Sequence, residues 1–288
     1  MKKLTILTLL TIIVINLTGC LKIDSLEDID IYTTVYPIEY ITRCLYGKHS
    51  NVYSIYPDGI NVDEYSLTDK QIKDYSKASL FIYNGIGKEK EYVIPMFNHN
   101  KNIKIIDTTL TLDYENDIAE LWLDPSNFLM LAQNIRTGFK EYINNHYLKN
   151  EIDENYEQLK LDVSNLDAKL KLMIESASSK TIIVGNDLFK FLEKYDFNVI
   201  SLEENENLTD KVIADVKTLI QNGEIDYIFL KQNEDPNNTI KAIVDEFGIE
   251  IIYIHTLSNI TETERNNNED YLSIMNENLE LLKQELYD

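Results

Sequence analysis

Cysteine is nearly absent from this chain of 288 residues, which has only Cys20 and Cys44. Cys20 falls in a processing motif described below, so no internal disulfide is available to the folded protein. Basic residues are also scarce, 27 Lys and Arg against 49 Asp and Glu, for a formal charge of −22. Such a surface repels nucleic acid and anionic lipid headgroups, which excludes partners that depend on phosphate contacts. Glycine is too sparse to build a phosphate cradle. Gly85-Ile86-Gly87 is too short for one, and no Gly-rich stretch leads into Lys-Ser/Thr. No Ser, His and acid stand in a nucleophile-elbow context, so the chain does not read as an enzyme. It also lacks a Gly/Ser-rich or Pro-rich linker, which excludes loosely tethered domains.

What is present begins at the N-terminus. Lys2 and Lys3 precede an apolar segment from Leu4 to Leu17, followed by Leu17-Thr18-Gly19-Cys20. A basic start, a short apolar middle and a small residue before a cleavage point are the parts of a secretory signal. The apolar segment is shorter than the roughly 20 residues that span a bilayer. Leu-Thr-Gly-Cys resembles a bacterial lipobox, which implies removal of residues 1–19 and acylation of Cys20. The mature protein is then expected to be lipid-anchored on the extracytoplasmic face of the cell membrane. A single acyl chain holds a protein only marginally, so stable anchoring calls for a second chain or signal.

The remaining residues suffice for one large or two modest domains, and their 44% hydrophobic content supports a real core. Apolar, β-rich runs alternate with amphipathic segments. In the first half the strand candidates are Ile29–Val35, Asn51–Tyr56, Leu80–Tyr83 and Ile103–Ile106, with helices including Ile38–Tyr46 and Thr68–Ser76. In the second half the strands are Thr181–Val184, Asn198–Leu202, Tyr227–Leu230 and Glu250–Ile254. Helices are expected there over Leu188–Tyr195, Thr209–Gln221, Asn237–Phe247 and Tyr271–Leu286. Strand-helix alternation implies parallel sheets covered on both faces. Between the two sets, Asp124-Pro125 opens one helix, and Leu159, Val163, Leu166, Leu170 and Met173 mark a second from about Asp153 to Ser176. The expected fold is α/β: two lobes, each a parallel four-stranded sheet flanked by helices, joined by a long rigid backbone helix. The divisions are a leader over 1–19, an N-terminal lobe over 20–150, the connecting helix over 151–178 and a C-terminal lobe over 179–288. Cys44 shares a helical face with Ile41 and Leu45 and reads as a buried, inert thiol. Trp122 reads as packing between helix and sheet, and His49, His99 and His146 as surface residues.

In open parallel sheets, ligands bind beyond the carboxyl ends of the strands. Those positions here carry Asp63 and Glu64 after the second strand, and Glu120 after the fourth. In the second lobe they carry Asn186, Glu203 and Glu204, Lys231 and His255. Asp63, Glu120, Asn186 and His255 together could offer three oxygens and one imidazole to a hard or borderline cation.

Several segments resemble one family in order and spacing. VYPIEYITRCLYG and IYPDGINVDEYSLTDKQIKDYSKASLFIYNGIG fall within residues 35–94, and WLDPSNFLMLAQNI follows at 122–135. GNDLFKFLEKYDFNVISL, EFGIEIIYIHTLSN and YLSIMNENLELLKQEL come later. They resemble the metal-binding solute-binding lipoproteins of zinc and manganese ABC transporters. The resemblance implies an interlobe metal site, a divalent ion (manganese, iron or zinc) as cargo and a membrane permease as partner. The protein itself is expected to be a monomer.

The metal positions depart from the family pattern. A His usually stands where this chain has Asp63, and another two residues before the central Trp, where it has Glu120. His or Glu is usual at the position of Asn186, and Asp at that of His255. The His-rich loop of zinc-type members has no counterpart in Thr108 to Ala119. Two readings follow. The site is re-tuned toward manganese or ferrous iron, or Lys231 pairs with Asp63 or Glu120 and substitutes for the cation. The second would leave a surface interaction or adhesion lipoprotein on the same scaffold.

Overall fold

The computed structural model describes residues 26–110, 112 and 120–287. The lipobox and Cys20 lie outside these residues, as does most of the loop from Thr108 to Ala119. Eight strands form two sheets with the same plan. In the first, β1 (Ile29–Thr33), β2 (Ser50–Ser54), β3 (Leu80–Tyr83) and β4 (Lys104–Asp107) lie in the order β2-β1-β3-β4. In the second, β5 (Thr181–Val184), β6 (Asn198–Ser201), β7 (Tyr227–Lys231) and β8 (Glu250–Ile254) lie in the order β6-β5-β7-β8. All neighbours are parallel. Both sheets therefore reverse strand order at their centre, which places a crevice outside the β1/β3 and β5/β7 ends. Leu80, Phe81 and Ile82, and likewise Ile228, Phe229 and Leu230, are fully buried. Consecutive apolar residues are what a strand covered on both faces requires.

The helices are α1 (Tyr36–Tyr46), α2 (Asp69–Tyr75), α3 (Lys90–His99), α4 (Pro125–Tyr142), α5 (His146–Glu175), α6 (Asp210–Gln221), α7 (Asn238–Phe247), α8 (Glu262–Asn266) and α9 (Tyr271–Leu286). Their starts follow capping chemistry. Thr68, Asp124, Asn145, Thr209, Asn237 and Asp270 each accept a backbone N–H of the first turn. Asn145 begins the connecting helix at His146, seven residues before the start expected from its apolar stripe, and Leu148 and Ile152 extend that stripe. At 30 residues it is roughly 45 Å long.

Three elements differ from the sequence expectation. Leu188–Tyr195 is part of a 3₁₀ segment, Asp187–Tyr195, rather than an α-helix. Its buried Phe189, Leu192 and Tyr195 recur every three residues, the period of a 3₁₀ turn. α3 carries Pro95 inside it and buries only Tyr92 and Met96, so its sequence shows no helical stripe. α8 buries nothing and is defined by the capping box of Thr261 and Glu264.

One core runs continuously from Leu26 through the connecting helix to Leu286 and takes in Ile182, Phe229 and Ile254 of the second sheet. A second, smaller core covers the other face of β5–β8. The last helix, α9, reaches back to the first lobe. The Tyr271 ring stacks on Phe128 at 3.8 Å between centroids, and its hydroxyl donates to the Trp122 carbonyl at 2.6 Å. Cys44 is a free, half-buried thiol whose pKa burial raises to about 11. His99 and His146 are exposed, whereas His49 is half-buried, with Nε2 2.9 Å from Glu151. The surface reading of His49 is thereby corrected: a partner on α5 draws it inward.

Candidate functional site

A cavity of about 360 Å³ opens between the two sheets at the carboxyl ends of their strands. Its first-lobe wall is the segment Gly59–Glu64 with Glu120, and its second-lobe wall is Lys231–Glu234 with His255 and the loop through Thr261. Three of the four sequence-derived candidates, Asp63, Glu120 and His255, therefore face one space. Asn186 does not line it. Its side chain accepts the Leu188 N–H at 2.9 Å as the cap of the 3₁₀ segment and bonds to Glu234.

Asp63 sits on a loop shaped by Asn61, whose Oδ1 accepts the Asp63 N–H at 3.0 Å. Lys88 donates to the Asp63 carbonyl at 3.0 Å, and the Asp63 carboxylate is 71% exposed. Gly59 makes the preceding turn at φ 77, a conformation that favours glycine, and its N–H donates to Ile260 across the cleft at 2.9 Å. Glu120 is half-buried at the start of the 3₁₀ turn Leu121–Leu123. Burial raises its pKa, and the Lys231 ammonium opposes that shift.

His255 is held on both sides of its backbone by Asn278, which accepts its N–H at 3.0 Å and donates to its carbonyl at 2.8 Å. The Leu257 N–H donates to Nδ1 at 2.8 Å, so the proton of the neutral ring is on Nε2, 3.4 Å from Glu264. Burial lowers its pKa, with Glu264 pulling the other way. The ring is neutral at pH 7, the form a metal takes, but both nitrogens already have protein partners.

Lys231 points into the cleft. Its ammonium is 3.9 Å from the Asp63 carboxylate, an ion pair across a gap and longer than a hydrogen bond. Glu234, which sequence reasoning missed, lies on the turn after β7, where its N–H donates to the Lys231 carbonyl at 3.1 Å. Its Oε2 is buried without a hydrogen-bond partner among the described residues, and burial raises its pKa against the pull of Lys231. The only available signal was its place three residues past a strand end. Glu203 turns away from this role, since its Oε2 accepts the Asp187 N–H at 2.7 Å. Among the described residues no three of His, Cys, Asp or Glu converge closely enough to hold an ion together. The oxygens stand on opposite walls.

The chain matches the family described as zinc-uptake complex component A, periplasmic, over residues 31–285. It is 24% identical over 295 residues to a metal ABC transporter substrate-binding lipoprotein of Lactococcus lactis, covering 93% of this chain and 92% of that protein. It is also 24% identical to the manganese ABC transporter substrate-binding lipoprotein PsaA of Streptococcus anginosus, with 99% of each chain covered. Among solved structures, the Zn(II)-bound ZnuA-like domain of Streptococcus pneumoniae AdcA superposes with a TM-score of 0.74 at 20% identity. That match covers 91% of this chain and all of the domain (100%), and it is a likeness of fold.

Proposed function

This chain belongs to the family of periplasmic zinc-uptake component A proteins, and on that footing we propose that it captures a divalent metal ion between its lobes for an ABC permease. The observation that carries this reading is the interlobe cavity itself, with Asp63 and Glu120 on one wall and Glu234 and His255 on the other. Manganese, iron and zinc are the candidate ions, and an oxygen-rich set suits the first two best. Because the donors stand on facing walls, capture consists of drawing those walls together around the ion. His255 joins by exchanging its Nε2 contact with Glu264 for the metal. Asn186 acts indirectly, by orienting Glu234. The protein works as a monomer held at the extracytoplasmic face of the membrane through lipid on Cys20, beside its permease.

Lys231 does not supplant the ion in this reading, because its ammonium stands beyond hydrogen-bond reach of the Asp63 carboxylate. Titration calorimetry of the mature protein with Mn²⁺, Fe²⁺ and Zn²⁺ tests the assignment. One ion is expected to bind, and changing Asp63 and Glu120 together to Ala is expected to weaken binding at least about 100-fold, beyond the loss of outer-shell partners. Equal binding by the intact and doubly substituted proteins would show that the ligands are wrongly assigned.

A further inference from the structure

The acidic charge is not spread evenly over the molecule. The connections from β2 to β3 and from β3 to β4 cross the first sheet in the same direction, so α2 and α3 pack side by side on one face. α1, which packs on α4 and α5, covers the other. The exposed side of α2 carries Lys70 and Lys73, with Lys77 just past its end, at steps of three and four. All three act on Asp74 and lower its pKa, Lys77 foremost through a contact of 2.6 Å. α3 presents a second exposed stripe of Lys90, Ile94 and Phe97, continued by Lys101. From Asp69 to Lys101 the exposed side chains thus set five lysines against three acids, Asp69, Asp74 and Glu91, in a chain of net charge −22.

Two further observations bear on what this face meets. Ile94 is 71% exposed and Phe97 42%, one turn apart, with the Lys101 ammonium 4.5 Å over the Phe97 ring. Apolar side chains among lysines are the composition of an interfacial surface, whose apolar groups enter the acyl boundary while the ammonium groups stay at the headgroups. The path of the chain also puts a bilayer within reach. Cys20 precedes Leu26, the first described residue, by six positions, so a lipid on it lies at most about 20 Å from Leu26. The ends of both stripes are tied to the strand that follows. Ser79 N–H donates to Asp30 of β1 at 3.2 Å, and the Asn100 side chain donates to the Ser76 carbonyl at 2.8 Å. The acidity of the rest of the molecule is screened beyond about 8 Å at physiological salt, so the facing residues decide the contact.

We propose that the α2–α3 face docks on an anionic phospholipid bilayer, with its lysines at the headgroup phosphates and Ile94 and Phe97 in the acyl boundary. Lipid on Cys20 then acts together with a basic patch, the pairing that turns marginal attachment into stable attachment. These helices run alongside the strands, and the cleft lies beyond the strands' carboxyl ends. Docking therefore leaves the cleft opening along the membrane surface instead of away from it. The proposal rests on the lipid attachment at Cys20 read above.

Quenching of a fluorophore by spin-labelled lipid tests it on the lipidated mature protein. One sample carries the label at Ile94→Cys and another at Leu161→Cys, on the exposed side of α5. Cys44, with its raised pKa, stays unlabelled at neutral pH. On phosphatidylcholine vesicles with about a third phosphatidylglycerol, quenching is expected for the first label and not for the second. Pure phosphatidylcholine is expected to abolish it. Changing Lys70, Lys73 and Lys77 together to Gln is expected to cut the ratio of docked to undocked protein at least about tenfold, from roughly fivefold for each lysine. All three are exposed, so folding is untouched. No quenching of the first label, equal quenching of the second, or quenching unchanged by the triple substitution or on neutral vesicles overturns the proposal. So does an equal effect of soluble polyphosphate on the first label, which would mean capture of anions and not of a surface. Protein that stays on neither kind of vesicle overturns the lipid attachment, and the docking with it.

Discussion

The indole Nε1 of Trp122 donates to the carbonyl oxygen of Thr256 at 2.6 Å, tying the entry to α4 directly to the loop after β8. Trp122 is 1% exposed, and its own carbonyl accepts from Tyr271 of α9. The same loop is fastened to the first lobe elsewhere. Tyr36 N–H donates to Ser258 at 3.1 Å, and the Asn259 side chain donates to the Pro57 carbonyl at 2.8 Å. One side of the cleft is therefore a fixed seam. Among the described residues, the Lys231–Glu234 turn facing Asp63 makes no hydrogen bond to the first lobe, and Lys231 faces Asp63 at 3.9 Å.

Trp122→Ala should destabilise the protein by about 3–5 kcal/mol, the cost of emptying a large aromatic site. Trp122→Phe keeps most of the packing and loses one hydrogen bond, for about 1 kcal/mol. Urea denaturation followed by circular dichroism separates the two. Equal losses would mean that the indole N–H, and not the ring, holds the seam.

Arg265 of α8 grips two acids of the first lobe. It donates to both oxygens of Asp58 at 2.8 Å and to Glu39 at 2.9 and 3.2 Å. The Glu39 side chain is only 2% exposed, and Arg43 at 2.8 Å is its other cationic partner. Arg265→Ala should cost about 2–3 kcal/mol, below the full penalty for an unpaired buried charge because Arg43 remains. Denaturant midpoints at neutral pH measure it, and a change under about 0.5 kcal/mol would class the contact with ordinary surface ion pairs.

Glu89 gives the fold a pH dependence. It is 2% exposed, its Oε2 has no hydrogen-bond partner among the described residues, and burial raises its pKa from 4.5 to about 7. Tyr56, Lys88 and Asp63 are the groups that act on it. A carboxyl with a raised folded-state pKa contributes its stability fully below the unfolded value, and that contribution is lost as pH rises from about 4.5 through about 7. The difference is about 3 kcal/mol. Glu89→Gln should flatten this part of the stability profile relative to wild type, as read by thermal melts between those pH values. Parallel profiles would mean that Glu89 ionises freely.

Glu234→Gln removes a charge but keeps the shape, so folding should be unaffected. Metal affinity should fall by about tenfold or more, since a ligating charge is worth more than about 1.4 kcal/mol. Calorimetry measures it directly. The thermal shift given by a fixed excess of metal should shrink with it, because a ligand at free concentration L stabilises the fold by RT ln(1 + L/Kd). Unchanged affinity would remove Glu234 from the site.

Most of the architecture was legible because it rests on local patterns. All eight strands fall where apolar, β-rich runs predict them, and Leu80–Tyr83, Thr181–Val184 and Glu250–Ile254 match to the residue. The start of α4 was legible because Asp124-Pro125 is a capping signal in its own right. α3 was not, because Pro95 is a helix-breaking signal inside it and its only buried residues, Tyr92 and Met96, are too few to mark a stripe. At the site, Asp63, Glu120 and His255 were found by their places at strand ends, the one rule that links sequence to cleft. Asn186 obeys the same rule, but its carboxamide is taken up by a helix cap and by Glu234.

By itself, the sequence determined the two parallel α/β lobes, the helix that joins them, the acidic charge and the family. The lobes, the helix and the charge follow from periodicity, capping and composition, which act over a few residues at a time, while the family was legible in the order and spacing of the quoted motifs. Only the tertiary structure decided which polar groups share the cleft. It turned Lys231 inward, added Glu234, withdrew Asn186, and engaged both ring nitrogens of His255. The reason is physical: side-chain direction at a strand end is set by the opposing lobe and by competing hydrogen bonds, and neither is written in the local sequence.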